Sequence, residues 1–159
     1  MAEAFARTVG DDVMLAFSAG VWPAEAVSDA ARLVMAEGAT PLFTDQMPKR
    51  LAEFDLSGFD AIVNLSGCRL AAYTTAPPGA LILEPFVPAP LAHDLDSHRD
   101  VRDRVEKFVR FLAEHFRRAR DWSAATTSRA GGQTLSQQTR PDPLPAAAPQ
   151  PDVSMPAAL

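Results

Sequence analysis

The chain has a single cysteine, Cys68, in 159 residues. One thiol cannot build a disulfide framework within a chain. A basic excess is also missing: Lys and Arg number 15 against 20 Asp and Glu, for a formal net charge of -5 and a pI near 5.1. Nucleic-acid binding of the general kind needs a concentrated basic surface, so no nucleic-acid partner is expected. No apolar run approaches the roughly 20 residues of a membrane span. The first residues include Glu3 and lack an apolar signal core, so a cytoplasmic protein without membrane contact is expected. Glycine-rich nucleotide loops, Walker patterns and nucleophile elbows are absent, and no cofactor is expected.

What is present divides the chain in two. From Ser123 to Leu159 the residues are mostly Ala, Pro, Ser, Thr, Gln and Gly, punctuated by Pro141, Pro143, Pro145, Pro149, Pro151 and Pro156. Such a segment has too little apolar area to offset the entropy of ordering it. Residues 123–159 are therefore expected to form a disordered Ala/Pro-rich tail. Hydrophobic residues make up 47% of the chain. They concentrate in residues 1–122, which are expected to form one domain with a real core.

Within that domain Met1–Arg7 reads as helix, with Met1 and Phe5 on one face. The run Val13–Phe17, bounded by Asp11-Asp12 and Gly20, reads as a buried strand. Pro23 suits the first turn of a second helix and Gly38 its C-terminal cap. Pro48–Phe54 suggests a short helical turn. Phe59–Leu65 and Ala80–Leu83 read as two further strands. Val101, Val105, Phe108, Leu112 and His115/Phe116 recur at helical spacing. Asp94, Asp96 and Ser97 offer caps for that last helix, and Arg117, Arg118 and Arg120 complement its dipole. Strands alternating with helices imply a parallel α/β sheet, whose ligands bind in the loops at the carboxyl ends of the strands.

Few residues in those loops carry chemistry. Glu84-Pro85 ends the last strand, where a carboxylic acid could protonate a leaving-group oxygen; a surface Glu before a proline turn is the plainer reading. Ser18 opens Ser18-Ala19-Gly20 at the end of the first run. Cys68 lies in Asn64-Leu65-Ser66-Gly67-Cys68-Arg69-Leu70 and reads as a half-buried structural thiol. His93, Asp94, Asp96 and His98 match no metal-ligand spacing, capping accounts for the acids, and no metal site is assigned. His115 reads as a packed or edge histidine of the last helix.

The order of these pieces resembles the low-molecular-weight protein-tyrosine phosphatase and arsenate reductase family. The resemblance rests on Met1-Ala2-Glu3-Ala4-Phe5-Ala6-Arg7, Ser18-Ala19-Gly20, Pro48-Lys49-Arg50-Leu51 ahead of Phe59-Asp60-Ala61-Ile62-Val63, Glu84-Pro85, and Ser97–Asp103 opening the last helix. It covers about Met1 to Arg120. It implies a three-layer α/β fold around a small parallel sheet, with the first, inner strand missing. It also implies hydrolysis of phosphate monoesters or phosphotyrosine through a cysteinyl-phosphate, so that intact relatives act on a phosphate ester or phosphoprotein. By the same resemblance Glu84 matches the family's general acid, an Asp-Pro aspartate, one methylene longer. Ser18 matches a serine that hydrogen-bonds the catalytic loop into shape.

The family's nucleophile lies in C-x-x-x-x-x-R, whose N–H groups cradle a phosphate and whose arginine clamps it. Six residues after Cys68 stands Thr74, so Cys68 does not fit that role. In the family the helix matching Met1–Arg7 follows directly on the phosphate loop. The chain is thus expected to be inactive as given, either because its start is assigned too late or because the gene is truncated. Without the inner strand its neighbours would expose apolar edges, through which it could oligomerise. The alternative is a non-catalytic pseudophosphatase serving as an interaction module. An arsenate reductase is the weaker alternative, since the thioredoxin-coupled enzymes need further cysteines.

Overall fold

The computed structural model describes residues 1–91 and 93–130, with side-chain surroundings as far as Thr126. The described residues form three α-helices and a two-stranded sheet: α1 (Ala2–Val9), α2 (Asp29–Ala36), β1 (Ala61–Val63), β2 (Leu81–Leu83) and α3 (Leu95–Ala130). Short 3₁₀ turns at Leu51–Glu53, Leu56–Gly58 and Leu70–Ala72 punctuate the connections. β1 and β2 are parallel, with Ala61 opposite Leu81 and Val63 opposite Leu83. The result is α/β with a small parallel sheet, as the alternation of elements implied.

The core lies between helices. α1 contributes Ala4, Phe5 and Ala6, α2 contributes Met35, and α3 contributes Val101, Val105 and Val109. Those valines stand four residues apart, so one stripe of α3 meets α1. Fully burying side chains of this size contributes about 1.5–3 kcal/mol each. α2 starts at a Ser28 cap, whose hydroxyl accepts from the Ala31 N–H at 3.2 Å. Its C-terminal end is fastened to α3: Arg102 Nη1 donates to the Val34 carbonyl at 2.9 Å, and Arg99 grips the Glu37 carboxylate through Nε at 2.8 Å and Nη2 at 2.5 Å. These bonds hold the Glu37 carboxyl below its ordinary pKa, chiefly through Arg99.

Three expectations are corrected. Val13–Phe17 is not a strand: Leu15 is 85% exposed, and the N–H groups of Val13 and Met14 turn back onto the Gly10 carbonyl. Only Gly20 pairs further on, as a parallel bridge to Arg50. Among the described residues no strand lies beside the run to take its backbone groups, and an apolar sequence alone does not supply them. The second helix starts at Asp29 rather than near Pro23, because Ser28 caps it. Finally, α3 continues past Trp122 to Ala130, into the stretch expected to be tail. Residues 123–130 contain no Gly or Pro, and the hydroxyls of Ser123 and Thr126 donate to the carbonyls of Ala119 and Trp122 at 3.0 and 2.9 Å. The remainder of the expected tail, 131–159, lies outside the described residues. No helix among the described residues is long and apolar enough to cross a membrane.

Candidate functional site

Two polar clusters stand out, one at the carboxyl ends of the short strands and one at the start of α1. The first is built on Asn64, the residue directly after β1. Its side-chain Nδ2 donates to the Cys68 carbonyl at 2.6 Å and to Glu84 Oε1 at 2.9 Å. Its Oδ1 accepts from the N–H and the hydroxyl of Ser66, at 3.1 and 2.7 Å. Asn and Ser form such local turns because a short side chain can replace a backbone partner. Gly67 completes the loop at φ 78°, a left-handed backbone that a side chain would strain.

Glu84 stands at the end of β2, and its Oε1 accepts both from Asn64 and from the Leu70 N–H, the latter at 2.6 Å. The carboxylate therefore ties the loop after β1 to the loop after β2. The Leu70 N–H first, then Asn64, with the Arg69 charge adding a smaller effect, holds the Glu84 carboxyl below its ordinary pKa. In this geometry Glu84 is a brace.

Cys68 is an exposed free thiol rather than the half-buried one expected. Tyr73 lies beside it, with the hydroxyl pKa raised by a hydrogen bond to the thiol. The Tyr73 ring stands edge-on to Trp22 at 6.2 Å. Trp22 and Phe86 are 82% and 81% exposed, so the loops at this end present aromatic surface.

The second cluster surrounds Glu3, buried in the first turn of α1. Ser18 donates its hydroxyl to Glu3 Oε2, and Lys49 Nζ reaches the same oxygen at 3.4 Å. Arg7 lies 3.6 Å from the other oxygen and bridges outward to Asp45 at 3.1 Å. Ser18 thus supports the start of α1. Sequence reasoning found no local partner for Ser18 and missed Glu3 and Lys49, since nothing in a helix-forming Met-Ala-Glu marks the Glu as buried. Asn64 was missed too, although Asn64-x-Ser66-Gly67 after a strand carries a turn signal. The structure keeps Glu84 and Ser18 in different clusters.

His93, Asp94, Asp96 and His98 do not converge. Asp94 caps α3 by accepting from the Asp96 and Ser97 N–H groups at 3.1 and 3.3 Å. Buried His98 donates from Nδ1 to the Asp94 carbonyl at 2.7 Å. No group of three acidic, His or Cys residues among the described residues is arranged to hold a metal ion. His115 is exposed rather than packed, lying edge-on to Phe116 at 6.0 Å.

A small parallel sheet beside a cluster of three packed helices, with loops at the strand ends, defines an α/β class. Within that class the fold is the low-molecular-weight protein-tyrosine phosphatase-like fold, which arsenate reductases share. The chain is similar to an arsenate reductase from Archaeoglobus fulgidus, with 26% identity and a TM-score of 0.58, covering 71% of this chain and 87% of that one. It is similar to an arsenate reductase in its reduced state, with 26% identity and a TM-score of 0.57, over 72% of this chain and 86% of that one. An arsenate reductase in a phosphate-binding state shares the fold at 23% identity, with a TM-score of 0.60 and the same coverage. No protein-family model matches the chain, and no curated protein matches it by sequence.

Proposed function

We propose that residues 1–159 form a low-molecular-weight phosphatase-like protein that does not itself turn over phosphate esters or arsenate. One observation carries this reading: three of the N–H groups around the only thiol are already engaged by side chains of the chain. Ser66 N–H donates to Asn64 at 3.1 Å, Cys68 N–H to the Ser66 hydroxyl at 3.3 Å, and Leu70 N–H to Glu84 at 2.6 Å. A phosphate cradle needs such groups free and convergent. Thr74, where a clamp arginine would stand, supplies no positive charge. Arsenate reduction, the activity named for the similar structures, removes two electrons from thiols. A single cysteine cannot close a disulfide within the chain to supply them.

The role that remains is binding. Trp22, Tyr73 and Phe86 at the loop end support a non-catalytic interaction module built on a phosphatase-like frame. The test is direct. Purified 1–159 is incubated with an aryl phosphate, and separately with arsenate, thioredoxin and its reductase. Neither phosphate release nor reductant consumption should exceed the blank, and Cys68→Ser should match the unaltered chain. Turnover that disappears in Cys68→Ser would overturn the proposal.

A further inference from the structure

We propose that the cavity between the carboxyl end of α2 and α3 binds a small primary ammonium carried on a short hydrocarbon body. The cavity has a volume of about 160 Å³. A cavity of roughly 150 Å³ accepts benzene, so about six heavy atoms fit. Phe5 and Met35 of the helical core supply its apolar lining. Glu37, Thr40, Asp103 and Glu106 supply most of the polar lining. None of these residues belongs to the cluster around Asn64 or to the one around Glu3.

Thr40 points to a ligand. It is only 5% exposed, yet among the described residues its hydroxyl has no hydrogen-bond partner. No fully enclosed side-chain polar atom among those residues lacks a partner. The Thr40 oxygen therefore keeps an opening, and the cavity it lines provides that opening. A hydroxyl held this deep without a partner carries a desolvation cost that a bound donor removes.

Charge selects the donor. Three carboxylates and one guanidinium, that of Arg102, line the cavity. Arg99 and Arg102 take up the Glu37 carboxylate. Arg102 is itself spent on Glu37, on the Val34 carbonyl and, through Nε, on Asp103 Oδ1 at 2.7 Å. Arg110 reaches Glu106 only through Oε1, at 2.9 and 2.7 Å. Among the described residues Oδ2 of Asp103 and Oε2 of Glu106 receive no hydrogen bond. These two oxygens and the Thr40 hydroxyl can each accept one. The carboxyl end of α2 adds the negative end of a helix dipole. An ammonium carries three N–H donors and no acceptor, which matches three acceptors in a negative setting. A carboxylate or phosphate would add to the acidic lining. A bare metal ion would leave Phe5 and Met35 facing water, whereas a short hydrocarbon chain covers them.

The test follows the amide NMR signals of Gly38, Ala39 and Thr40 in the full chain as n-butylammonium chloride is added at constant chloride concentration. Those signals should move and saturate, with a dissociation constant on the order of 1 mM for so few atoms. n-Butanol and butyrate at the same concentrations should produce no saturating shift. Thr40→Val keeps the side-chain shape and removes the hydroxyl. It should weaken binding about tenfold and leave the urea midpoint unchanged or higher. Glu106→Gln should weaken binding by about threefold. Glu106 is only half-buried, so this variant decides the matter if Thr40→Val fails to fold. Absence of any saturating shift would mean a cavity that holds water only, and overturns the proposal. So does equal binding of n-butanol or butyrate, since the positive charge would then count for nothing. Binding that survives both substitutions places the ligand elsewhere and overturns it too. A lowered midpoint in folded Thr40→Val has the same effect, because the hydroxyl would then be bonded within the chain.

Discussion

Replacing Phe5 with alanine tests where the stability of this fold resides. Phe5 is 3% exposed and packs in the cluster of Met35, Val101, Val105 and Val109, where the three helices meet. Removing a buried phenyl ring loses its transfer free energy and leaves a void that neighbours fill only in part, a cost of about 3–5 kcal/mol. A domain of this size has about 5–15 kcal/mol to lose. Among the described residues no helix packs on the β1–β2 pair, and all three β1 residues are only half-buried. The helical cluster must therefore carry most of the stability. With a urea slope of about 2 kcal/mol/M, Phe5→Ala should lower the unfolding midpoint by roughly 1.5–2.5 M. Phe5→Leu, which keeps most of the volume, should cost less than half as much. Ile62→Ala in half-buried β1 serves as the internal comparison and should cost about 1–2 kcal/mol, below the roughly 2–5 kcal/mol of a fully buried site. If Ile62→Ala proves the more damaging, the sheet rather than the helical cluster anchors the fold and this reasoning is wrong.

Other outcomes follow from single contacts. Glu3→Ala strands Ser18 and Lys49 without their shared acceptor and should cost about 1–3 kcal/mol in chemical denaturation; a neutral result would mean that Glu3 is solvated in solution. Glu84→Ala should speed hydrogen exchange at the Leu70 amide, while Glu84→Gln, which keeps an acceptor oxygen, should speed it less. Equal protection in all three proteins would remove Glu84 as a brace. Cys68, being exposed, should react with Ellman's reagent in the native protein without denaturant; reaction only after unfolding would contradict its placement. Asp12 is held near pKa 2, first by its hydrogen bond from Arg117, against an ordinary value of 3.8. A depressed carboxylate contributes stability that is complete above its unfolded pKa and disappears as the pH falls toward the folded one. Asp12→Asn should therefore flatten the acid-unfolding curve between about pH 4 and pH 2, and an unchanged curve would count against the Asp12–Arg117 contact.

The sequence revealed those parts of the fold that depend on local pattern. Most of the buried face of α3 was visible, since Val101, Val105 and Leu112 were read from their helical spacing although Val109 was not, and the two paired strands were visible as apolar runs between turn residues. Val13–Phe17 had the same composition but a different fate, because strand formation needs neighbours that a run of residues cannot reveal about itself. At the candidate site, Glu84 was placed correctly at a strand end, yet what it does depends on the Leu70 N–H fourteen positions earlier. The burial of Glu3 depends on Ser18 and Lys49, which approach only in three dimensions. The extension of α3 beyond Trp122 was hidden by a composition that suits either an unfolded tail or an alanine-rich helix end.

The length of α3 has a mechanical consequence. A helix from Leu95 to Ala130 extends for about 54 Å, whereas a compact chain of 100 residues has a radius of gyration of only about 13 Å. Its last ion pairs with the domain are those of Arg117 and Arg120 with Asp12, and residues 121–126 are all exposed. The helix is therefore a strut: it is anchored to the domain along its first two thirds, and residues 121–126 continue beyond the last of those ion pairs with every residue exposed. The clasp of Asp12 by Arg117 and Arg120 is thus the last point at which the domain fixes the direction of that rod.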